Sequence, residues 1–529
     1  MLPDQEFERY WKEWSEKEEA NYILAKNKQG KEVPKYLKKG YTHFDLRFWF
    51  PLRKEELKKL LKNNLRINNS FHKREEWWAF SPFLKILMKT PRYKYQVDED
   101  DFDLETKIRP ICFASHFDSL IFSFYAYCLT RKYESYIEEK GFSDCVLAYR
   151  SNLGGKCNIQ FSKEVFDEVR KRQECTAIAL DIKGYFDTIV HKTLKEKWAT
   201  VLNLPEIPAD QYKIFKALTE YSYVNKGSIL RKYGIVLKKM HQPPKSLLEL
   251  VPEVKDFEKF QRLRNDKLIV TNPAKNKRGE AIGIPQGSGM SALLSNIYLI
   301  DFDQELSKKA KKEGFLYRRY CDDILIVCDS DKAEALQKFT IDLISSYPYS
   351  LEIQQKKVEM TEFKMNSAGK IRAFDKKKLL RNKTLKLTSK NEKLFYKSLQ
   401  YLGFEFNGQD VFIRASSLSR YFRKMKAKIV KTVAMAYNKK NRSSTIWKHQ
   451  LLEKYSHLGK RNFIKYAFDA SKKEYKNSKG HVKDGFDSPA IRKQVARHFS
   501  ILMRTLGVKN LDRFYWKLEK KEVVNPKKI

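Results

Sequence analysis

The stretch Tyr317-Arg318-Arg319-Tyr320-Cys321-Asp322-Asp323-Ile324-Leu325-Ile326-Val327 places two adjacent carboxylates between an aromatic, basic run and an apolar, β-branched run. This pattern predicts two antiparallel strands joined by a turn of about two residues, with both acids at its tip. Adjacent carboxylates repel, so one is pushed toward protonation unless a cation neutralises them. Hard oxygen ligands of this kind suit Mg²⁺ or Mn²⁺. The stretch therefore predicts either a metal-holding hairpin or an ordinary solvated Asp-Asp turn.

A third acid decides between these two readings. Residues 176–182 form an apolar, β-branched run that predicts a buried strand, and Asp181 stands near its end. Taken alone, Asp181 could equally be a helix-capping aspartate. Beside the hairpin it completes a set of three carboxylates, which can hold two Mg²⁺ ions about 3.5–4 Å apart for phosphoryl transfer.

The composition indicates a folded protein with a polyanionic partner. The chain has 529 residues, 42% hydrophobic and 13% aromatic, which argues against pervasive disorder. Its formal net charge is +41, and nucleic acid is the first candidate partner, with an anionic membrane surface second. Residues 411–529 carry 31 Lys and Arg against 8 Asp and Glu, a net charge of +23. We expect this region to be a binding surface, although a charged run can also be a merely solvated face.

The cysteines and the apolar runs predict the cellular compartment of the protein. The seven cysteines show no C-x-x-C pair and no His at zinc-ligand spacing, so we expect reduced thiols in a cytoplasmic protein. No signal peptide and no run of eighteen apolar residues is visible, so no membrane partner is expected.

The remaining patterns predict local structure. Helices are expected at residues 7–14, 54–64, 118–134, 161–173, 291–305, 332–345 and 419–437. Pro and alternating charge over residues 80–118 predict loops and short strands, and Val146–Arg150 predicts a strand. Asp187 is predicted as the N-cap of the next helix. The helix at 419–437 would have one cationic and one apolar face, which suits a duplex backbone or, alternatively, a membrane surface.

An ordered set of motifs carries a family resemblance. The motifs are Asp181-x-x-x-x-Phe186, Pro285-Gln286-Gly287, Tyr320-Cys321-Asp322-Asp323, Lys357 and Leu402-Gly403-Phe404. Each is weak alone, but in this order they resemble the successive palm motifs of reverse transcriptases over roughly residues 90–406. Arg109-Pro110-Ile111, Ala148-Tyr149-Arg150 and Gly155-Lys156-Cys157-Asn158-Ile159 resemble the bacterial defence-associated (abortive-infection or unknown-group) enzymes of that superfamily.

The resemblance implies a role for each motif residue. Asp181 and Asp322 would bridge two Mg²⁺ ions, or Mn²⁺, with the Ile182 carbonyl and Asp323 as further ligands. Lys357 would protonate the leaving pyrophosphate, although adjacent Lys356 leaves the register open.

The same resemblance assigns the substrate contacts. Phe186 would be the steric gate that excludes a 2′-hydroxyl, so that dNTPs are preferred, unless it is simply a core phenylalanine. Gln286 and Gly287 would approach the template and the nascent base pair. Lys107 and Arg109 would clamp the triphosphate, and Leu402-Gly403-Phe404 would be the primer grip rather than a plain β-turn.

The resemblance also implies an architecture. The fold class would be α+β, a right-hand polymerase with fingers, a palm built on an antiparallel sheet, and a helical basic thumb. Residues 1–90 would be an N-terminal helical extension and the start of the fingers, and 91–408 the rest of the fingers and the palm, with an insertion at about 202–280. Residues 409–529 would be the thumb and C-terminal domain. Cys321 departs from the Ala usual at its position, and being small it should be tolerated.

The expected function is RNA-directed DNA synthesis on an RNA template, taken to be a cognate noncoding RNA, in bacterial antiphage defence. The partners would be this RNA, the DNA product and dNTPs, with homo-oligomerisation left open. Two alternatives stay open: template-independent or protein-primed DNA synthesis by the same site, with a tyrosine hydroxyl as primer, and a non-catalytic RNA-binding scaffold.

Overall fold

A computed structural model describes residues 3–26, 32–36, 40–69, 74–96, 101–237, 244–251, 255, 258–272, 274–382, 387–437, 445–478 and 480–523. Helices and strands alternate through these residues, in keeping with the predicted α+β class. The helices are α1 (Asp4–Glu19), α2 (Phe50–Lys62), α3 (His116–Glu139), α4 (Asn158–Arg172), α5 (Tyr185–Thr188), α6 (His191–Leu202), α7 (Ala209–Thr219), α8 (Lys226–Lys232), α9 (Lys259–Asn265), α10 (Gly289–Tyr298), α11 (Ile300–Glu313), α12 (Ala333–Ser345), α13 (Lys376–Arg381), α14 (Ala415–Ala436), α15 (His449–Tyr455), α16 (Phe463–Ser471), α17 (Pro489–Val495) and α18 (His498–Val523).

The strands are β1 (Tyr22–Lys26), β2 (Glu32–Tyr36), β3 (Arg66–Asn69), β4 (Arg74–Trp77), β5 (Phe83–Gln96), β6 (Asp101–Phe113), β7 (Cys175–Asp181), β8 (Ser222–Asn225), β9 (Ile269–Thr271), β10 (Leu316–Tyr320), β11 (Asp323–Cys328), β12 (Glu359–Met365), β13 (Ile371–Asp375), β14 (Leu399–Tyr401), β15 (Phe404–Phe406), β16 (Val411–Ile413), β17 (Glu474–Lys476) and β18 (Val482–Asp484). Short 3₁₀ helices lie at Leu247–Leu250, Gln355–Lys357 and Glu392–Phe395.

A five-stranded sheet with the order β10-β11-β7-β12-β13 forms the centre, and every neighbouring pair is antiparallel. Successive residues of a strand point to opposite faces. Ile178, Leu180 and Ile324 therefore pack on one face with α3, α6, α10 and α11, whereas Ala177 and Leu325 pack on the other with α4, β14–β16 and α14. Both faces are covered, which explains why β7 and β11 are nearly continuous apolar runs.

The prediction of loops and short strands at 80–118 is wrong. β5 and β6 form one long antiparallel ribbon, paired from Leu84↔Phe113 to Gln96↔Asp101. Proline lacks the N–H that a ladder needs, so it is tolerated only where that N–H would face solvent. Pro110 lies on edge strand β6, and Pro91 lies beyond Phe83–Lys85, the part of β5 that pairs with β8.

The structure also corrects other predictions of local structure. The strand expected at Val146–Arg150 is wrong, because only Val146 forms a bridge, to Arg319. Asp187 is not an N-cap, since it lies inside the short helix α5, whose N-cap is Gly184. The helix expected at 291–305 is divided into α10 and α11 at Leu299. The segment 202–280 adds β8 and β9 to the sheet that begins with β6 and β5.

Residues beyond β16 are mainly helical, as predicted. α14 buries Tyr421, Met425, Ile429 and Val433 on one side and packs against α18. Among the described helices, none combines the length and the apolar character that a membrane crossing requires.

Candidate active site

The hairpin predicted from Tyr317–Val327 is confirmed. β10 and β11 pair from Leu316↔Val327 to Tyr320↔Asp323, and Cys321 and Asp322 form the turn between them. Cys321 has φ +59°, in the left-handed region that a side chain rarely adopts. Asp322 therefore stands at the tip, and Asp323 is the first residue of β11.

Asp181 lies directly across from the hairpin. It is the register partner of Asp323 between β7 and β11, and the Ile182 N–H donates to the Asp322 carbonyl at 3.1 Å. Side chains of register partners project from the same face, with Cβ atoms about 4.5–5.5 Å apart. Strand geometry thus brings Asp181, Asp323 and the turn that carries Asp322 to one edge of the central sheet.

Desolvation and, after it, charge repulsion raise the pKa values of the acids at this edge. The pKa of Asp323 is raised from its ordinary 3.8 to about 7, first by desolvation and then by the Asp322 and Asp181 carboxylates, even though the side chain reaches solvent. The pKa of Asp322 is also raised, again first by desolvation and then by Asp181. Lys357 opposes both shifts. The site therefore carries more negative charge than its own cations neutralise.

Lys357 is the last residue of the 3₁₀ helix Gln355–Lys357, and its side chain contacts one of the three acids. Its Nζ lies 2.5 Å from Asp181 Oδ1, although nearly half of the lysine side chain is exposed. Across the described residues, no three His, Cys, Asp or Glu side chains are already gathered around one ion position. The ammonium of Lys357 supplies part of the positive charge that the carboxylates require.

The donor set fits a divalent ion. Three carboxylates, two of them with raised pKa, are hard oxygen ligands that lack sufficient countercharge. Asp181, Asp322 and Asp323 would hold Mg²⁺, with the Ile182 carbonyl beside them. A bound divalent ion there supplies Lewis-acid stabilisation of a phosphoryl group.

Phe186 is held by its backbone next to this edge. The Ile284 N–H donates to the Phe186 carbonyl at 2.9 Å, and the ring is half-buried against Tyr185, with ring centroids 5.9 Å apart. Tyr185 is buried and its hydroxyl donates to the Ser295 carbonyl. The backbone of Phe186 is thus held in place, and a gate role for its ring stays a prediction.

Gln286 and Gly287 join the palm to the β5–β6 ribbon. The Cys112 N–H donates to the Gln286 carbonyl at 2.8 Å. Gly287 has φ +120°, and a Cβ there would lie 2.8 Å from Ile111 Cγ2 and 2.9 Å from the Cys112 carbonyl oxygen. Only glycine allows this close approach. The glycine is thus explained by contact with the ribbon, while a template contact stays a prediction.

Lys107 and Arg109 lie on β6, opposite Thr90 and Met88. Both side chains are half-buried. No described contact joins either of them to the three acids, so a triphosphate clamp stays a prediction.

Leu402-Gly403-Phe404 forms a tight turn between β14 and β15. Leu402 and Gly403 have φ values of +44° and +94°, and Phe404 is buried at 1% exposure. The Arg414 N–H donates to the Gly403 carbonyl at 3.0 Å, which ties the turn to the start of α14. The predicted primer grip is thus a rigid turn attached to the first thumb helix.

Sequence reasoning missed two residues near the acids. The charge of Arg414 lowers the pKa of Asp323, and no sequence signal distinguishes this arginine from others in the basic region. Tyr149 has φ +59° and is 48% exposed, and its pKa is raised first by desolvation and then by the neighbouring Cys321 thiol. Its Ala-Tyr-Arg motif could have indicated a position near the hairpin.

Comparison with known proteins finds a family model that matches part of the candidate site. Residues 246–406 match the family model described as reverse transcriptase (RNA-dependent DNA polymerase). The match contains Gln286, Asp322, Asp323 and Lys357, whereas Asp181 and Phe186 lie before it. No curated protein matches the chain.

Solved structures give a distant likeness. Apo telomerase from Candida tropicalis truncated from its C-terminal domain has 11% identity and a TM-score of 0.34, over 75% of this chain and 64% of that chain. Telomerase from Candida albicans in complex with a TWJ fragment of telomeric RNA has 13% identity and a TM-score of 0.30, over 96% of this chain and 74% of that chain. The chain thus spans less than two thirds of the first of these structures. The match to the reverse transcriptase family model covers residues 246–406, which is less than a third of the chain.

Proposed function

We propose that the chain extends a primer 3′-hydroxyl with dNTPs on an RNA template, by two-metal-ion catalysis at Asp181, Asp322 and Asp323. The observation that carries this proposal is the register pairing of Asp181 with Asp323, beside the turn that holds Asp322. Asp322 and Asp323 lie within the residues that match the reverse transcriptase family model. The primer hydroxyl attacks the α-phosphorus of the dNTP, and pyrophosphate leaves. We assign the donation of a proton to that leaving group to Lys357, whose ammonium contacts Asp181.

Selection of dNTPs is assigned to Phe186. Its ring is apolar and offers no hydrogen-bond partner to a 2′-hydroxyl, and its backbone is fixed by Ile284. A ribonucleotide would therefore lose both space and solvation at this point.

The thumb offers a surface for the template–product duplex. A cleft of about 720 Å³ between α14, α15 and the start of α16 presents Arg420, Lys424, Lys454 and Arg461. Of the carboxylates that the structure describes, none forms an ion pair with these four side chains, so they are available for phosphates. Contacts of this type bind a backbone without reading its sequence.

The test is primer extension with purified protein, Mg²⁺, labelled dNTPs and an RNA template annealed to a DNA primer. We expect DNA synthesis by the wild type and none by the Asp322→Ala, Asp323→Ala double variant. Equal activity in the two proteins would contradict the proposal. RNA retained without synthesis in either protein would instead support an RNA-binding scaffold.

The biological setting is proposed from the motifs at Arg109-Pro110-Ile111 and Ala148-Tyr149-Arg150. We assign the chain to cytoplasmic antiphage defence with a cognate noncoding RNA as template. Sequencing the nucleic acids that copurify with the protein tests this directly. One recurrent RNA with complementary DNA supports the assignment, and random cellular RNA contradicts it.

A second candidate, protein-primed synthesis, is favoured by the position of Tyr149, an exposed tyrosine close enough to Cys321 and Asp322 for both to raise its pKa. Its hydroxyl oxygen would attack the α-phosphorus of the first dNTP, releasing pyrophosphate and passing its proton to solvent. Labelled DNA should then stay with the protein through denaturing electrophoresis and be lost in Tyr149→Phe. Free DNA from both proteins rules this candidate out.

A further inference from the structure

An arginine lies completely buried beneath the hairpin that carries the acids. The side chains of Arg319 and Asp303 are both 0% exposed. Arg319 Nε donates to Asp303 Oδ1 at 2.7 Å and Nη2 donates to Asp303 Oδ2 at 2.5 Å, so the pair is bidentate. Tyr317 adds a third donor, its hydroxyl lying 2.6 Å from Asp303 Oδ1.

The remaining nitrogen of this guanidinium holds the turn. Arg319 Nη1 donates to the Cys321 carbonyl at 3.0 Å and to Asn296 Oδ1 at 3.2 Å. Cys321 is the residue with φ +59°, directly before Asp322. A left-handed conformation at a non-glycine residue costs about 1–3 kcal/mol and persists only where its surroundings fix it. The bond from Arg319 is one such constraint.

The backbone of Arg319 is fixed as well. Its N–H donates to the Cys145 carbonyl at 2.7 Å, and its carbonyl accepts from the Leu147 N–H at 2.9 Å. Asn296 Nδ2 donates to the Ala148 carbonyl at 2.8 Å, which brings α10 into the same network. Arg319 thus joins α10, α11, the 145–148 loop and the tip of the hairpin.

Stability alone does not account for this ion pair. A buried pair can often be replaced by apolar residues with no loss of stability, because desolvation of the charges offsets their attraction. An apolar side chain could not, however, bind the Cys321 carbonyl.

We propose that Arg319 is a positioning residue, which holds the left-handed turn at Cys321 and so directs Asp322 toward Asp181 and Asp323. This inference rests on the proposed function of the three acids as metal ligands. Arg319 makes no described hydrogen bond to the side chains of Asp181, Asp322 or Asp323, so its effect passes through the turn. Misplacement of a reacting group by about 1 Å can lower a rate about a hundredfold.

The test compares Arg319→Lys with Tyr317→Phe. Lysine keeps the charge beside Asp303 but cannot also reach the Cys321 carbonyl, whereas Tyr317→Phe removes a bond to Asp303 and none to the turn. We expect Arg319→Lys to lower kcat by about a hundredfold, with the KM for dNTP nearly unchanged, and to raise the Mg²⁺ concentration for half-maximal activity about tenfold. Tyr317→Phe should change neither quantity appreciably.

Two further measurements separate positioning from folding and from the proposed function itself. Mn²⁺ binding without substrate, followed by electron paramagnetic resonance, should be weaker in Arg319→Lys than in wild type, even if the wild type proves to have no polymerase activity. Adding Cys321→Gly to Arg319→Lys should restore part of the kcat, because glycine adopts φ +59° without strain.

A folded Arg319→Lys variant with wild-type kcat and wild-type Mn²⁺ affinity would overturn the inference. If Arg319→Lys does not fold, the double variant Arg319→Met, Asp303→Leu tests the same bond, because it removes both buried charges together and with them the Nη1 donor to the Cys321 carbonyl. The expected result is again a raised Mg²⁺ requirement, and an unchanged requirement overturns the inference.

Discussion

Asp181 and Asp323 are register partners across β7 and β11, although 141 residues separate them in the chain. Antiparallel pairing places their side chains on the face that also bears β14–β16 and the start of α14. Arg414, whose N–H donates to the Gly403 carbonyl, lies close enough for its charge to oppose the rise in the pKa of Asp323.

Phe186→Ala should let ribonucleotides enter. The discrimination between dNTP and rNTP, as the ratio of their kcat/KM values, should fall about 10- to 100-fold, because an apolar contact of this size is worth about 1–3 kcal/mol. The matched control is Asp187→Asn, a change at the exposed neighbouring side chain. Unchanged discrimination in Phe186→Ala would show that the ring is only a core residue.

Gly287→Ala should weaken the junction between the palm and the β5–β6 ribbon. The new Cβ would meet Ile111 and the Cys112 carbonyl at under 3 Å, at a φ of +120°, so a loss of about 1–3 kcal/mol in the free energy of unfolding is expected. Gly289→Ala is the control, since no atom lies within 4 Å of a Cβ there and its φ is not positive. Denaturant unfolding of both variants checks the prediction, and equal stabilities would contradict it.

Asp323 should make the metal-free protein less stable as pH rises. Its pKa is about 7 in the folded state against an ordinary 3.8, so between these values the folded state binds more protons than the unfolded state. The contribution of Asp323 to the free energy of unfolding therefore falls as the pH increases from about 4 to about 7. In chelator, Asp323→Asn should raise the Tm more at pH 8 than at pH 5, and Mg²⁺ should reduce that difference. A pH-independent difference would argue against the raised pKa.

Charge removal in the thumb cleft should weaken duplex binding without affecting chemistry. Arg420→Gln with Lys424→Gln should lower affinity for an RNA–DNA duplex and reduce the slope of log affinity against log salt by about one to two. The kcat at saturating duplex should stay near the wild-type value. Lys473→Gln with Lys476→Gln, in and before β17, serves as a control of equal charge change. Identical salt slopes in the two double variants would exclude the cleft as a phosphate surface.

The local pattern of the sequence was sufficient to predict the hairpin that carries Asp322 and Asp323. Alternation of apolar residues around Cys321-Asp322 predicts the strands and the turn, and the buried run before Asp181 predicts β7. The β5–β6 ribbon was missed because Pro91 and Pro110 indicate loops. Their tolerance depends on which strand is at the edge, and that is a tertiary property.

The contacts that hold the site in place could not be predicted from the local sequence in the same way. Arg319 stands in a basic run and would be expected at the surface. Its burial depends on the ion pair with Asp303, which lies in the preceding helix α11, and on the hydrogen bond to the carbonyl of Cys321. Likewise, the charge of Arg414 acts on Asp323 from the start of α14, where its N–H donates to the Gly403 carbonyl. No pattern in the sequence around Arg319 or Arg414 predicts either contact.

The most direct test of the three-carboxylate site is a comparison of single Asp181→Asn and Asp322→Asn variants with wild type. Each should lower the rate of primer extension at saturating substrate by at least about a thousandfold, because each removes a ligand that holds the ions of phosphoryl transfer. Each should also lose the Mg²⁺-induced rise in Tm while keeping the Tm in chelator at or above that of the wild type. Wild-type extension rates in either folded variant would contradict the account.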